Sequence, residues 1–175
     1  RVHKNSIYKV PMMATLPAAL ALPALGILKG AIHDFVEANG TRQTRGAVVA
    51  GGVRMADFPH VQGRVGDAAA AFNAGMALIL SDLAETERLA AAGEPITVGR
   101  RIGNRLTQAY IVKLAVEGVD SLYAVTGGAG LYLGDRLQRA WRDVHAVAHH
   151  VSFNWDAVSS MYGQHVFGLE PRGQY

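Results

Sequence analysis

The amino-acid sequence predicts an all-α domain, an antiparallel up-down-up-down four-helix bundle, on three observations. Half of the 175 positions are hydrophobic, with alanine, leucine and valine dominant. Apolar residues recur at spacings of three and four over long stretches, the repeat of an amphipathic helix. Period-two alternation of β-branched residues, the mark of a half-buried strand, never persists beyond a few positions. A chain of this length is expected to form one domain that buries roughly two thirds of its unfolded surface.

The first helix is expected over residues 16–38, closed by Asn39-Gly40, with Pro17 and Pro23 blurring its start. Residues 11–28 are apolar enough to raise the question of a membrane span. Two prolines interrupt them and Lys29 and His33 follow, so a buried helix is the better reading. Residues 40–56, with Thr41, Arg42, Thr44, Arg45, Gly46, Gly51 and Gly52, read as a long loop, and long loops in compact domains are often functional.

The second helix is expected from near Asp57, with Pro59 tolerated in the first turn. Val61, Val65, Ala68, Ala69, Phe72, Met76, Ile79, Leu80 and Leu83 carry its stripe to the stop Gly93-Glu94-Pro95, a length of roughly 50 Å at about 1.5 Å per residue. Thr97 is the expected cap of a third helix with the stripe Ile102, Leu106, Ala109, Tyr110, Val112, Lys113, Val116 and Val119. Thr126-Gly127-Gly128-Ala129-Gly130 stops it. The fourth helix is expected over residues 134–162, with Leu137, Trp141, Val144, Ala148, Val151, Trp155 and Val158 on one seam and Gly163 at its end.

Composition narrows the function. There is no cysteine, so disulfides, thiolate catalysis and Cys-ligated zinc or iron–sulfur centres are excluded. The 17 Lys+Arg against 14 Asp+Glu leave a net charge of +3 spread along the chain, and aromatics are only 7%. No basic stretch is interleaved with aromatic residues, so nucleic acid is not an expected partner. An intracellular, cytoplasmic protein is favoured, with no membrane association. The first residue is Arg1, and a fragment of a longer polypeptide is expected.

The histidines His145, His149 and His150 draw attention first. Four residues apart, His145 and His149 differ by about 40° around a helix, whereas Asp143 lies about 200° from His145 and cannot complete a ligand set on that face. No third ligand is evident, so no metal site is assigned; partly buried, hydrogen-bonded histidines are the ordinary alternative. Trp141 and His145 are also about 40° apart, placing an imidazole beside an indole at the edge of the apolar stripe. Imidazole exchanges protons near neutral pH, so His145 is the chemical candidate of this face, with a structural histidine as the plainer reading. Arg139 and Asp143 form an i,i+4 pair.

Gly127-Gly128-Ala129-Gly130 lacks the glycine spacing and leading strand of a dinucleotide fingerprint. It does precede a helix N-terminus, where free amides favour an anion. The alternative is a plain helix–helix turn. Arg42 and Arg45 are either phosphate ligands or exposed loop arginines.

The run Leu137-Gln138-Arg139-Ala140-Trp141-Arg142-Asp143-Val144-His145-Ala146, followed by His149, resembles the last long helix of the oxygenase components of two-component flavin-dependent monooxygenases. These enzymes, of the 4-hydroxyphenylacetate hydroxylase type, have the acyl-CoA dehydrogenase fold, and the bundle is similar to its C-terminal domain. Gly127-Gly128, Tyr162-Gly163, and Phe58, Val61 and Gln62 followed by Val65-Gly66-Asp67-Ala68 support the likeness, which covers nearly the whole chain.

The resemblance implies reduced FMN or FAD supplied by a separate flavin reductase. Reaction with O2 then gives a C4a-hydroperoxide that hydroxylates an aromatic or related small molecule. It implies that His145 faces the flavin's reactive edge, that Trp141 and His149 line the substrate pocket, and that Arg42, Thr126, Gly127 and Gly128 contact flavin phosphate. Some of these contacts would reach a neighbouring subunit's cofactor in a homotetramer. It also implies that N-terminal helical and middle β domains are missing, and that the fragment alone binds flavin weakly or not at all.

Two alternatives stand beside it. An acyl-CoA dehydrogenase-like flavoprotein needs a carboxylate base, and none stands at His149-His150-Val151-Ser152 or in residues 1–33. The other is a non-catalytic helical oligomerisation module.

Overall fold

A computed structural model of the chain describes residues 3–44 and 52–175. Arg45, Gly46 and Gly51 of the expected loop lie outside the described residues. Five α-helices make up the fold: α1 (Met12–Asn39), α2 (Pro59–Ala92), α3 (Val98–Tyr123), α4 (Arg136–Ala148) and α5 (Trp155–Val166). No strand forms among the described residues; a lone antiparallel bridge pairs Gln43 with Arg54.

The first three helices follow their local signals. α1 begins at Met12, one turn earlier than expected, so both prolines sit inside it. Each removes one backbone N–H, and the helix persists because one face is buried from end to end: Ala14, Ala18, Ala21, Leu25, Leu28, Ala31 and Phe35 are all inaccessible to solvent. This face packs on α2, α3 and α4, which is how a core helix of high mean hydropathy is used. Pro59 opens α2, and Gly93 ends it in the left-handed conformation at φ 74° with its N–H on the Ala90 carbonyl. The Thr97 side chain accepts from the Arg100 N–H at 3.2 Å and starts α3.

α3 is the central helix, in contact with α1, α2, α4 and α5. It approaches α1 at Gly118, where an added Cβ would stand 2.7 Å from Leu28 Cδ1, as α2 approaches α1 at Gly75 with the same distance to Leu25 Cδ2. A chain of buried polar groups joins the three helices. Arg100 donates to the Asp82 carboxylate at 2.8 Å, Thr86 to the Asp82 carbonyl at 2.8 Å, Asn104 to Thr86 Oγ1 at 3.0 Å, and Gln108 to the Ala14 carbonyl at 2.7 Å. Burial pushes the Asp82 carboxyl above its ordinary value, against the opposing pull of Arg100.

The expected fourth helix is two helices, and the four-helix count is corrected to five. The chain leaves the helix after Ala148, makes a single 3-10 turn at Val151–Phe153, and restarts at Trp155. Local hydrogen bonds compete with the helix here: the His150 ring accepts from the Ser152 N–H at 3.2 Å, and Asn154 Oδ1 from the Ala157 N–H at 3.1 Å. The seam fails with the break. Val151 is 82% exposed and Phe153 takes the core position at 5%. Trp155 packs on Tyr110 of α3, with ring centroids 5.6 Å apart. Gly163 lies inside α5, and Gly168, at φ 71°, stands just past its true end.

Candidate functional site

Two groups of expected site residues are brought together, each by a different pair of elements. In the first, α3 presents Asp120 and Tyr123 to Trp141 and His145 of α4. Trp141 Nε1 donates to Asp120 Oδ1 at 2.7 Å, and His145 Nε2 lies 2.9 Å from the same oxygen. The indole and imidazole centroids are 4.6 Å apart, confirming the adjacency expected from helical spacing. Tyr123 stacks on Trp141 with ring centroids 5.3 Å apart, its hydroxyl donating to the Gly130 carbonyl at 2.8 Å. The Arg139–Asp143 pair forms at 3.4 Å on the solvent side.

His149 is oriented by a different bond. Its Nδ1 is 2.7 Å from the His145 carbonyl, and since a carbonyl only accepts, Nδ1 carries the proton and Nε2 is left free. His149 lines a cavity of about 540 Å³ between α3 and the α4–α5 junction, walled by Val112, Val116, Phe153 and Trp155. Its single carboxylate, Glu117, is paired with Lys113 at 3.1 Å. His145 lines neither this cavity nor the larger one.

The second group surrounds a cavity of about 1080 Å³ lined by Arg42, Thr126, Gly128, Arg136 and residues of the C-terminal end of α1. Arg42 Nη1 donates to the Thr126 carbonyl at 3.0 Å and, more weakly, to Asn39 Oδ1 at 3.4 Å. Backbone bonds from Thr44 to Val53 and from Met55 to Arg42 pin the loop ends that hold it. Gly127, at φ 63°, has only the Arg42 guanidinium near its missing Cβ, so the turn stays open beside that cation. Thr126 is buried and its hydroxyl is spent on the Tyr123 carbonyl at 2.9 Å, so it shapes the turn rather than offering a free donor. Asp34 and Glu37 also border this cavity, and Arg136 answers both, at 3.3 and 3.5 Å. Arg42 therefore remains available to an anion.

Asp120 and Tyr123 were not legible as site residues. Both sit near the C-terminal end of α3, three apart, so a shared helix face was readable; that this face meets Trp141 was not.

The all-α packing of α1 to α5 around the central α3 sets the class of this chain as a helical domain. Residues 18–155 match the model of the family described as acyl-CoA dehydrogenase, C-terminal domain, and the chain belongs to that family. It is 41% identical over 176 residues to the oxygenase component of an FADH(2)-dependent resorcinol hydroxylase of Rhizobium sp. (strain MTP-10005), covering 98% of this chain and 43% of that protein. It is 30% identical to the oxygenase subunit HsaA of a flavin-dependent monooxygenase of Rhodococcus jostii (strain RHA1), covering 93% and 42%. The chain thus spans under half the length of the relatives it matches.

Among solved structures, 3-HSA hydroxylase from Rhodococcus sp. RHA1 superposes with a TM-score of 0.80 at 28% identity, over 94% of this chain and 40% of that one. XiaF from Streptomyces sp., in complex with FADH2 and glycerol, superposes with a TM-score of 0.88 over 99% and 43%; at 21% identity it shows the fold alone.

Proposed function

We propose that this chain is the C-terminal helical part of the oxygenase component of a two-component flavin-dependent monooxygenase that hydroxylates an aromatic small molecule with O2. The single observation that carries the reading is the α4–α5 junction. The cavity there is bordered by His149 and His150, and its one carboxylate is tied up by a lysine. A dehydrogenase of this fold needs a free carboxylate to take a substrate proton; a hydroxylase needs groups that hold and move protons in a site shielded from water.

The residues present fit a flavin phosphate: a guanidinium beside an open glycine turn, with Arg136 paired to the nearby Asp34 and Glu37. Arg42 and the Gly127-Gly128 turn would hold it, Thr126 acting through the turn it stabilises. The relatives' names favour reduced FAD over FMN, delivered by a separate reductase. When bound, the reduced flavin supplies the electrons that activate O2. The chain's own part is to orient substrate through Trp141 and His149, to move a proton at His145 or His149, and to exclude water with Val112, Val116 and Phe153. A homotetramer and a cytoplasmic location belong to the same reading.

The test is hydroxylation of resorcinol-type phenols by the polypeptide that carries this chain, given reduced FAD and O2. Product formation, with hydrogen peroxide released instead by His145→Asn or His149→Asn, is the expected result. Absence of hydroxylated product across phenols, with reduced FAD demonstrably bound, overturns it.

A further inference from the structure

We propose that Asp120 is a positioning residue that fixes the neutral His145 imidazole as its Nε2–H tautomer and so makes Nδ1 the proton acceptor of the site.

Trp141 fixes the role of the Asp120 carboxylate oxygen. An indole N–H only donates, so its 2.7 Å bond establishes Asp120 Oδ1 as an acceptor whatever the histidine does. An ionised carboxylate oxygen likewise only accepts. The nitrogen of His145 that lies 2.9 Å from that oxygen must therefore carry hydrogen. A neutral imidazole has one N–H, and with it committed at Nε2 the lone pair is on Nδ1.

The surroundings keep the ring in this orientation. Trp141 lies against it at 4.6 Å and is itself stacked on Tyr123, whose hydroxyl is tied to Gly130. Turning the ring over would put Cε1–H where Nε2–H now meets the carboxylate and lose the bond. His145 keeps 30% of its side-chain surface exposed. His149 has the opposite arrangement, with hydrogen on Nδ1 and the lone pair on Nε2. Two imidazoles one helical turn apart are thus set in opposite tautomers by two different acceptors.

The consequence for chemistry rests on the monooxygenase reading; the tautomer itself does not. A phenolic O–H meeting Nδ1 gives up its proton there: the O–H bond breaks, the Nδ1–H bond forms, and the oxygen keeps the electron pair as phenolate. The resulting imidazolium faces the Asp120 carboxylate through its Nε2–H, which offsets the new charge. Phenolate is the more electron-rich ring for oxygen transfer.

Long-range proton–nitrogen correlation spectra of the 15N-histidine-labelled chain, in mildly alkaline buffer, test the inference without flavin or substrate. The expected wild-type pattern is a pyrrole-like Nε2 and a pyridine-like Nδ1 for His145, with the reverse for His149. Asp120→Ala should move both His145 nitrogens toward the averaged values of a tautomer mixture and leave His149 unmoved. Asp120→Asn, which keeps an acceptor oxygen, should retain the wild-type pattern. A pyridine-like Nε2 of His145 in the wild type overturns the proposal even if the alanine variant fails to fold, and so does an unchanged pattern in a folded Asp120→Ala. If the tautomer follows Asp120 while His145→Asn leaves hydroxylation intact, the positioning role stands and the proposed role of His145 falls.

Discussion

The Arg105 guanidinium on α3 donates to the Ser152 carbonyl at 2.9 Å, anchoring the break between α4 and α5 to the central helix. Arg105 is buried, and burial lowers its pKa from the ordinary arginine value. Replacing it with leucine removes, among the described residues, the one side-chain donor that reaches this turn from α3 and leaves a backbone acceptor unpaired. The expected cost is about 1–3 kcal/mol of stability, read by urea denaturation, with hydrogen exchange accelerated at residues 149–154 first. Exchange rising equally throughout the chain would refute the local anchoring.

Two glycines on neighbouring helices should respond to alanine with opposite signs. Gly66 on α2 is exposed with open space at its missing Cβ, whereas Gly118 on α3 faces Leu28 at 2.7 Å. Gly66→Ala should gain about 0.5–1 kcal/mol from helix propensity. At Gly118 the same gain is outweighed by overpacking of about 1–3 kcal/mol, because Leu28 is fully buried and has nowhere to move. Chemical denaturation of the two variants in parallel gives the sign directly.

The raised pKa of Asp82 makes a prediction for pH. The folded state holds this proton to higher pH than the unfolded chain does, because the burial effect exceeds the pull of Arg100. The contribution is complete below the ordinary carboxylate range and is lost as pH rises through the folded-state value. Asp82→Asn abolishes that loss. The stability of the asparagine variant minus that of the wild type should therefore grow as pH climbs from the ordinary carboxylate range toward neutrality; a falling difference would show that the Arg100 pairing dominates.

Arg42 is the test of the cofactor end. Arg42→Met keeps an unbranched apolar stem but removes the guanidinium that borders the Gly127 turn. Loss of a charge-assisted hydrogen bond to phosphate is worth about 1.5–3 kcal/mol, so affinity for reduced FAD should fall roughly 10- to 100-fold, measured by anaerobic fluorescence titration of the flavin-binding polypeptide. Riboflavin, without phosphate, should bind both proteins equally.

The α4–α5 break shows where reading the chain alone stops short. Trp155 and Val158 continue the spacing of Leu137, Trp141 and Val144, so periodicity gives no sign of an interruption between them. The break depends on short-range bonds by His150 and Asn154 and on Arg105 arriving from another helix. Polar side chains that bond their own backbone are compatible with either outcome, and the contact across elements decides.

What the amino-acid order determined by itself was local. The stops at Asn39-Gly40 and Gly93, the Thr97 cap, much of the stripes of α2 and α3 and the contact of Trp141 with His145 follow from one helix's geometry and the hydrogen-bonding needs of its ends. The tertiary structure alone decided that Asp120 reaches His145, that Arg42 meets the Thr126 turn, and that the last helix is two. Helical periodicity names the face a residue occupies; which face of which other helix it meets, and in what register, is set by packing the whole chain around one core.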